Sequence, residues 1–410
     1  MTPSDFMERV FTHARAIGAT DIHIEPNGNG IQLRFRANGV LSSNSQLTAG
    51  IQSNEIKNIS AHLKAVADVP AFKVGYIVDA RYVPHNAHEM VCRLSFVPLI
   101  GGAEKIAIRV LHSYDNLTLE NLRLNRDNLT TITSFFDRTG LVLVTGPAGS
   151  GKSTLLYSIL EQMVRKHKDA LSINTVEDPV ERKILGVAQT ELNHTNNVTW
   201  ATALRAIMRQ DPRVIMIGEI RDKETAEIAI EAGLTGHLVL STIHARSTFS
   251  VFPRLLEMKI EPYLAVSAVI GVISVRLLQL TCSECRAWRK RDFSPATYPS
   301  DQQIQLCLDQ MGERAPDKVC SRDIVNLRET CESCHNGQGG GAVSLLTEVL
   351  KTESIQDKVM ARSTDDQIEG SARDKNMRTL SQDAVSRLRD GSAFVENVAA
   401  VMMELAAPKA

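Results

Sequence analysis

No excess of basic charge marks this 410-residue sequence: 46 Lys and Arg stand against 47 Asp and Glu, a formal net charge of −1. A chain that holds nucleic acid through its general field needs surplus cations to neutralise phosphates, so nonspecific binding of that kind is disfavoured. No aromatic-basic stripe suited to stacking on single strands is present either. Long apolar runs are also scarce. The N-terminal MTPSDFMERVFTHARAIG is charged and has no apolar core of signal-peptide length, so nothing marks the chain for export and the cytoplasm is expected. The most apolar stretch, YLAVSAVIGVISVRLLQL at 263–280, carries Arg276 and Gln279. Before them it is too short to cross a bilayer, which takes about 20 apolar residues, and it reads as a buried helix. No internal repeat is visible.

Cysteines number seven, and their spacing argues against a disulfide framework. Cys282-x-x-Cys285 and Cys331-x-x-Cys334 form two pairs, while Cys92, Cys307 and Cys320 stand apart. Two such pairs let four thiolates converge on one Zn2+ in a closed, structural site. The long stretch 286–330 between them exceeds the span of a minimal zinc ribbon, so thiols unrelated to metal remain an alternative on spacing alone.

Two halves of different character follow one another. Residues 1–113 open with a helix, DFMERVFTHARAIG, ending at Gly18, and continue with DIHIEP, IQLRFRANG and HEMVCRLSFVPL, whose alternating apolar and polar residues predict half-buried strands of a small α+β domain. Residues 114–128 read as a linker. In 129–410 the apolar strands LVLVT, ALSINTV, VIMIG and HLVLSTI alternate with helices, predicting a parallel α/β sheet with ligands at the carboxyl ends of its strands. Residues 280–345 form a cysteine-containing excursion, and 351–410 resume helical periodicity with a break at Gly391.

The sharpest signal is VTGPAGSGKST, between a predicted strand and a predicted helix. In Gly146-Pro147-Ala148-Gly149-Ser150-Gly151-Lys152-Ser153-Thr154 the glycines let backbone N–H groups turn toward a phosphate. Lys152 adds a point charge on the β and γ phosphates, and Ser153 a hydroxyl for Mg2+. ATP with Mg2+ is the implied ligand. Glu177, in NTVEDPVE, and Glu219, in RVIMIGEIRD, follow apolar strands where an NTPase places acids near metal and water; a solvated acidic turn is the ordinary alternative for the first. Arg205 and Arg209 lie four apart in TWATALRAIMRQDP, on one face of a predicted helix, and are either solvated or directed at transferring charge. His237 and His244 bracket one predicted strand and could sense nucleotide.

These blocks in this order resemble the secretion and type IV pilus ATPase superfamily, in its type II secretion and pilus-assembly branch. The resemblance runs from about residue 5 to 405 and rests on DIHIEP, GPAGSGKST, TVEDPVE, the long block from LRAIMRQDP to LSTIHA, and the cysteine pairs. It implies a PAS-like N-terminal domain, a RecA-like P-loop ATPase domain, a small zinc subdomain, C-terminal helices and a homohexamer. It also implies roles: Glu219 as Walker B acid, Glu177 as Asp box acid, His244 as His box histidine, and Arg205 and Arg209 as the arginines before Walker B. Arg81 and Arg93 match N-terminal-domain arginines that close over the γ-phosphate. Cys282, Cys285, Cys331 and Cys334 match the zinc ligands of assembly-type members, which tilts the work toward extension or secretion. An inner-membrane platform protein is the implied partner, the cytoplasmic face of that membrane the implied location, and no nucleic acid is expected.

The sequence departs from the family at RFRANGVL, where Asn38 replaces an acid, at VDAR with Ala80, at VRL with Val275, and at GQGGGA. On the resemblance, the sequence is expected to open at the PAS-like domain without the extra docking domain of many assembly ATPases, as either a short variant or a truncated form. A RecA-like nucleic-acid motor and a nucleotide-gated scaffold without turnover are the competing readings.

Overall fold

The computed structural model describes residues 2–28, 30–37, 40–52, 54–70, 75–84, 90–112, 118–193, 196–282, 288–290, 318–320, 340–375 and 377–406. Two compact units divide the chain, one of residues 1–116 with 181–183, the other of 117–180 and 184–410.

Among its described residues, the first unit is an antiparallel sheet with two helices. Helix α1 (Pro3–Ala16) starts at a Thr2–Asp5 capping box, with Pro3 at its first position, and buries Phe6, Met7, Val10, Phe11 and Ala14 on one stripe. Strands β1 (Ala19–Asn27), β2 (Gly30–Ala37), β3 (Val40–Ser43), β4 (Val78–Tyr82), β5 (Met90–Pro98) and β6 (Glu104–His112) form one sheet in the order β3-β2-β1-β6-β5-β4, and α2 (Glu55–Val66) is the second helix. Alternation places Ile22 and Ile24, Leu33 and Phe35, Leu94 and Phe96, and Ile106 and Ile108 in the core. The opposite, polar face sets Arg81 against Arg93, Arg93 against Arg109, and Arg109 against Asp21, in direct cross-strand register.

The second unit is built on a seven-stranded sheet in the order β15-β12-β7-β11-β10-β8-β9. In chain order its elements are α3 (Arg126–Thr133), β7 (Gly140–Thr145), α4 (Lys152–His167), β8 (Ile173–Glu177), β9 (Ala188–Glu191), α5 (Trp200–Ile207), β10 (Val214–Ile220), α6 (Lys223–Leu234) and β11 (Leu238–Ile243). Then come α7 (Val251–Glu257), α8 (Pro262–Ala268), β12 (Val269–Thr281), the short pair β13 (Trp288–Lys290) and β14 (Lys318–Cys320), and β15 (Gly340–Lys351). Helices α9 (Gln356–Met360), α10 (Asp365–Asp374), α11 (Leu380–Arg389) and α12 (Val395–Ala406) end it. Strands β12, β7, β11, β10, β8 and β9 run parallel, and β15 joins β12 antiparallel.

Burial on both faces explains why the central strands lack polar alternation. Leu141, Leu143, Ile215, Ile217 and Val239 point to the side covered by α5, α6, α7 and α8. Val142, Val144, Val214, Met216 and Leu240 point to the side covered by α4, with Leu119 and Leu122 of the preceding segment packed there too. Helices α11 and α12 close over Leu278, Leu280 and Leu346 of β12 and β15.

The apolar stretch 263–280 is not one helix. It is the short α8 followed by the long strand β12. A short apolar run does not distinguish a buried helix from a buried strand, and here the β-branched Val269, Ile270, Val272, Ile273 and Val275 favour the strand. Gly271 lets that strand pass Phe135 closely, since a Cβ there would lie 2.4 Å from the ring. Among the described residues no helix is long and apolar enough to cross a membrane.

Candidate nucleotide site

The carboxyl ends of β7, β8, β10 and β11 share one edge of the sheet, where open parallel sheets bind ligands. Strand β7 delivers the chain to a glycine-rich turn, and that turn delivers it to α4. Gly146 has φ 149°. A Cβ there would sit 2.6 Å from Ser150 Oγ and 2.7 Å from the Val275 carbonyl, so the close approach requires glycine. Gly149 at φ 73° and Gly151 at φ 94° take left-handed conformations that reverse the chain. Gly151 also provides no side chain to cap α4, which leaves the first N–H groups of a helix N-terminus facing the turn.

Two further features fit a phosphate. Ser150 Oγ is buried with no hydrogen-bond partner among the described residues, a cost that a ligand oxygen would remove. Lys152 Nζ donates to the carbonyl oxygens of Gly146 at 2.9 Å and Pro147 at 2.8 Å, so the ammonium lies across the turn. Burial lowers the Lys152 pKa, Glu219 opposes that shift, and the Arg276 guanidinium reinforces it. Pro147, Ala148 and Gly149 form the exposed crest, while Ser153 and Thr154 are half-buried on the first turn of α4.

Glu219 comes from β10, where the pairing register with β11 shifts between Ile217 and Ile220, a bulge of the kind that re-aims a side chain. Arg221 Nη2 lies 2.5 Å from Glu219 Oε1, and His244 Nε2 lies 3.4 Å from Glu219 Oε2. The glutamate side chain is 13% exposed and that of His244 60%, so the pair sits at the rim of the site with its acid inward. Short polar side chains lock the strands that carry them. Ser241 Oγ donates to the Ile217 carbonyl at 2.9 Å, Thr242 Oγ1 to the Gly218 carbonyl at 2.7 Å, and Thr145 Oγ1 to the Ala245 carbonyl at 2.6 Å. The phosphate turn, the Glu219 strand and the His244 segment are thereby tied together.

Glu177 ends β8 and is 4% exposed. It accepts from Thr175 Oγ1 at 2.6 Å and Gln189 Nε2 at 3.0 Å, and also from the Tyr157 hydroxyl of α4. Its carboxylate therefore points into the protein and clamps β8 and β9 to the helix that follows the phosphate turn; the next residue, Asp178, is the exposed one. Arg205 is exposed and pairs with Glu224 Oε1 at 2.7 Å. Helix α5 stops at Ile207, so Arg209 lies in the turn beyond it, exposed, rather than one helical turn along. His237 is at the amino end of β11, with Nδ1 2.9 Å from the Ala232 carbonyl at the end of α6. It is at the opposite end of that strand from His244 and is no part of the site. Arg81 and Arg93 are exposed on the first unit.

Cys282 is a buried cysteine just past β12, whereas Cys285, Cys331 and Cys334 lie outside the described residues, as does Asn38. Among the described residues, no group of three or more His, Cys, Asp or Glu side chains is placed to hold a metal.

Several participants carried no motif of their own in the sequence. Tyr157 reads as an ordinary amphipathic-helix position, Arg221 as a charged strand end, and Arg276 as an interruption in an apolar run. Trp200 packs within 3.0 Å of a Cβ built on Gly218, which holds the Glu219 bulge from the α5 side.

The family described as Type II/IV secretion system protein matches residues 4–400. The type IV pilus assembly ATPase PilB of Thermus thermophilus is 33% identical over 409 residues, covering 97% of this chain and 43% of that protein. This chain thus spans less than half the length of the Thermus relative. Type II secretion system protein E of Aeromonas hydrophila is 34% identical over 392 residues, covering 94% of this chain and 73% of that protein. Among solved structures, the Legionella pneumophila ATPase DotB shares the fold with a TM-score of 0.68 at 19% identity, over 98% of this chain and 96% of that one.

Proposed function

The chain belongs to the Type II/IV secretion system protein family, and from that membership we propose that it is an ATP-hydrolysing motor for type IV pilus assembly or type II-like secretion. The observation that carries this reading is the convergence of Lys152, Glu219 and His244 at neighbouring strand ends, with Glu219 3.4 Å from His244 and its charge felt by Lys152. The backbone of residues 146–151 and Lys152 bind the phosphates. The Ser153 hydroxyl would hold Mg2+, which would supply charge neutralisation to the phosphates. Glu219 orients and activates the attacking water, His244 fixes that carboxylate and senses the γ-phosphate side, and Glu177 supports the metal-facing end of the site from within.

Arg81 and Arg93 stand directly opposite one another on β4 and β5, both exposed, which sets two guanidiniums side by side on the sheet. We assign them to the γ-phosphate in the closed state of the motor, and the exposed Arg205 and Arg209 to the nucleotide of a neighbouring copy in a homohexamer. Domain closure on ATP and reopening after hydrolysis then supply the stroke. The first unit is read as PAS-like and the second as RecA-like. Cys282, Cys285, Cys331 and Cys334 would hold a structural Zn2+, which would give the 280–345 excursion a cross-link; the paired spacing and the burial of Cys282 support this. The motor works at the cytoplasmic face of the inner membrane on a platform protein.

Steady-state ATP turnover of the full chain with Mg2+ tests this reading, alongside Lys152→Ala, which is expected to lose nucleotide binding. Absence of turnover in the assembled parent protein would convert the motor into a nucleotide-gated scaffold. Acceleration by DNA in a salt-sensitive manner would favour a nucleic-acid motor. Metal analysis should find one zinc per chain and none after Cys331→Ser.

A further inference from the structure

Arg276 is an arginine in the wrong place for an ordinary one. It sits on β12, beside the phosphate turn, and is 7% exposed. A buried guanidinium is retained only where its donors are satisfied. Its Nε donates to Glu404 Oε1 of α12 at 2.8 Å, Nη1 to the Val275 carbonyl at 2.8 Å, and Nη2 to the Arg246 carbonyl at 3.5 Å. The Val275 carbonyl and Arg276 Nη1 are also what a Cβ on Gly146 would strike, at 2.7 Å and 3.3 Å. One planar side chain therefore touches the floor of the phosphate turn, the segment two residues past His244, and the last described helix.

We infer that Arg276 is a positioning residue for the phosphate turn, and that its ion pair with Glu404 couples phosphate occupancy to helix α12. A phosphate drawn onto the turn pulls on Gly146 and on the guanidinium beneath it. The guanidinium is forked, so a shift on its Nη side reorients the Nε–H that Glu404 accepts. Glu404 is 48% exposed, so the pair stands at the boundary between the buried site and solvent. A side chain half in water responds to a small displacement of its partner more readily than one locked in a core. Helix α12 thus reports the state of the nucleotide on the surface of the second unit. The inference rests on the ATPase reading above and adds to it a route out of the site that does not pass through the first unit.

Amide hydrogen exchange on the full chain, with and without Mg-ADP, tests it. In the parent protein, Mg-ADP should slow exchange both in residues 146–153 and in residues 395–406. Glu404→Gln, at an exposed position, should melt as the parent does and keep protection of 146–153 while losing that of 395–406. Arg276→Lys keeps the charge without the fork and should weaken Mg-ADP binding by about tenfold, the effect of losing one charge-assisted hydrogen bond. If exchange in 395–406 ignores Mg-ADP in the parent, or responds equally in Glu404→Gln, the coupling is wrong. Failure of Mg-ADP to protect 146–153 would instead overturn the nucleotide reading itself, and the inference with it.

Discussion

His244 Nε2 lies 3.4 Å from Glu219 Oε2, while the other carboxylate oxygen is held by Arg221 at 2.5 Å. The acid is therefore fixed from two sides by groups that come from its own strand end and from the end of β11. Fixing a carboxylate before substrate arrives lowers the reorganisation needed when charge moves in the transition state. The bulge at Gly218 and Glu219 and the Thr242 bond to the Gly218 carbonyl hold the backbone that makes this possible.

The phosphate turn tolerates no side chain at Gly146. Gly146→Ala places a methyl 2.6 Å from Ser150 Oγ and 2.7 Å from the Val275 carbonyl at a φ that L-residues rarely adopt. Strain of about 1–3 kcal/mol is expected, and since it falls on the turn, nucleotide affinity should drop by at least about tenfold. Isothermal titration with Mg-ADP checks this; affinity equal to the parent would deny that the turn is the phosphate cradle.

Tyr157 joins α4 to Glu177 across the buried end of β8. Tyr157→Phe removes one donor from a buried carboxylate that keeps Thr175 and Gln189. A charge-assisted bond of this kind contributes about 1.5–3 kcal/mol. Chemical unfolding of the variant should show a loss in that range, and an unchanged midpoint would mean that the clamp is not formed in solution.

Glu348 links stability to pH. Burial raises its pKa, against the opposing hydrogen bonds from the Thr248 hydroxyl and the Leu380 N–H; of the more distant charges, Glu369 raises it further and Arg373 lowers it. A raised pKa means that the folded chain holds this proton more tightly than the unfolded one. The stabilisation it gives is complete below the ordinary carboxylate range and is lost as pH rises through the folded value, with a slope no steeper than about 1.4 kcal/mol per pH unit. Glu348→Gln cannot titrate, so the stability of the variant relative to the parent should rise with pH in that window. Unfolding curves measured from acid to neutral pH check it, and a pH-independent difference would contradict the assignment.

Much of this site was legible in the sequence, for physical reasons that also explain what was not. The phosphate turn announces itself because left-handed glycines, an ammonium and a hydroxyl are needed at fixed spacing, and the structure places them between β7 and α4. Strands buried on both faces read as unbroken apolar runs, which located β7, β8, β10 and β11. The same rule misread β12, since an apolar run with a short helix at its head carries no period that separates helix from strand. Arg276 reads as a mere interruption for the same reason: in a helix it would have no link to the phosphate turn, whereas on a strand beside β7 it lies against Gly146. His237 and His244 do bracket β11, but the direction of that strand leaves only His244 at the carboxyl edge, and the early stop of α5 takes Arg209 off the helix face shared with Arg205. The inward turn of Glu177 depended on Tyr157, a residue whose role exists only once α4 packs against β8.

Exchange of Glu219 for its uncharged isostere is the most direct test of the chemical step. With Mg-ATP and the assembled full chain, Glu219→Gln should bind nucleotide within a few-fold of the parent while kcat falls by about 10²–10⁴, the usual contribution of a positioned general base. Turnover in Glu219→Gln equal to that of the parent would contradict the assignment of this carboxylate to the chemical step.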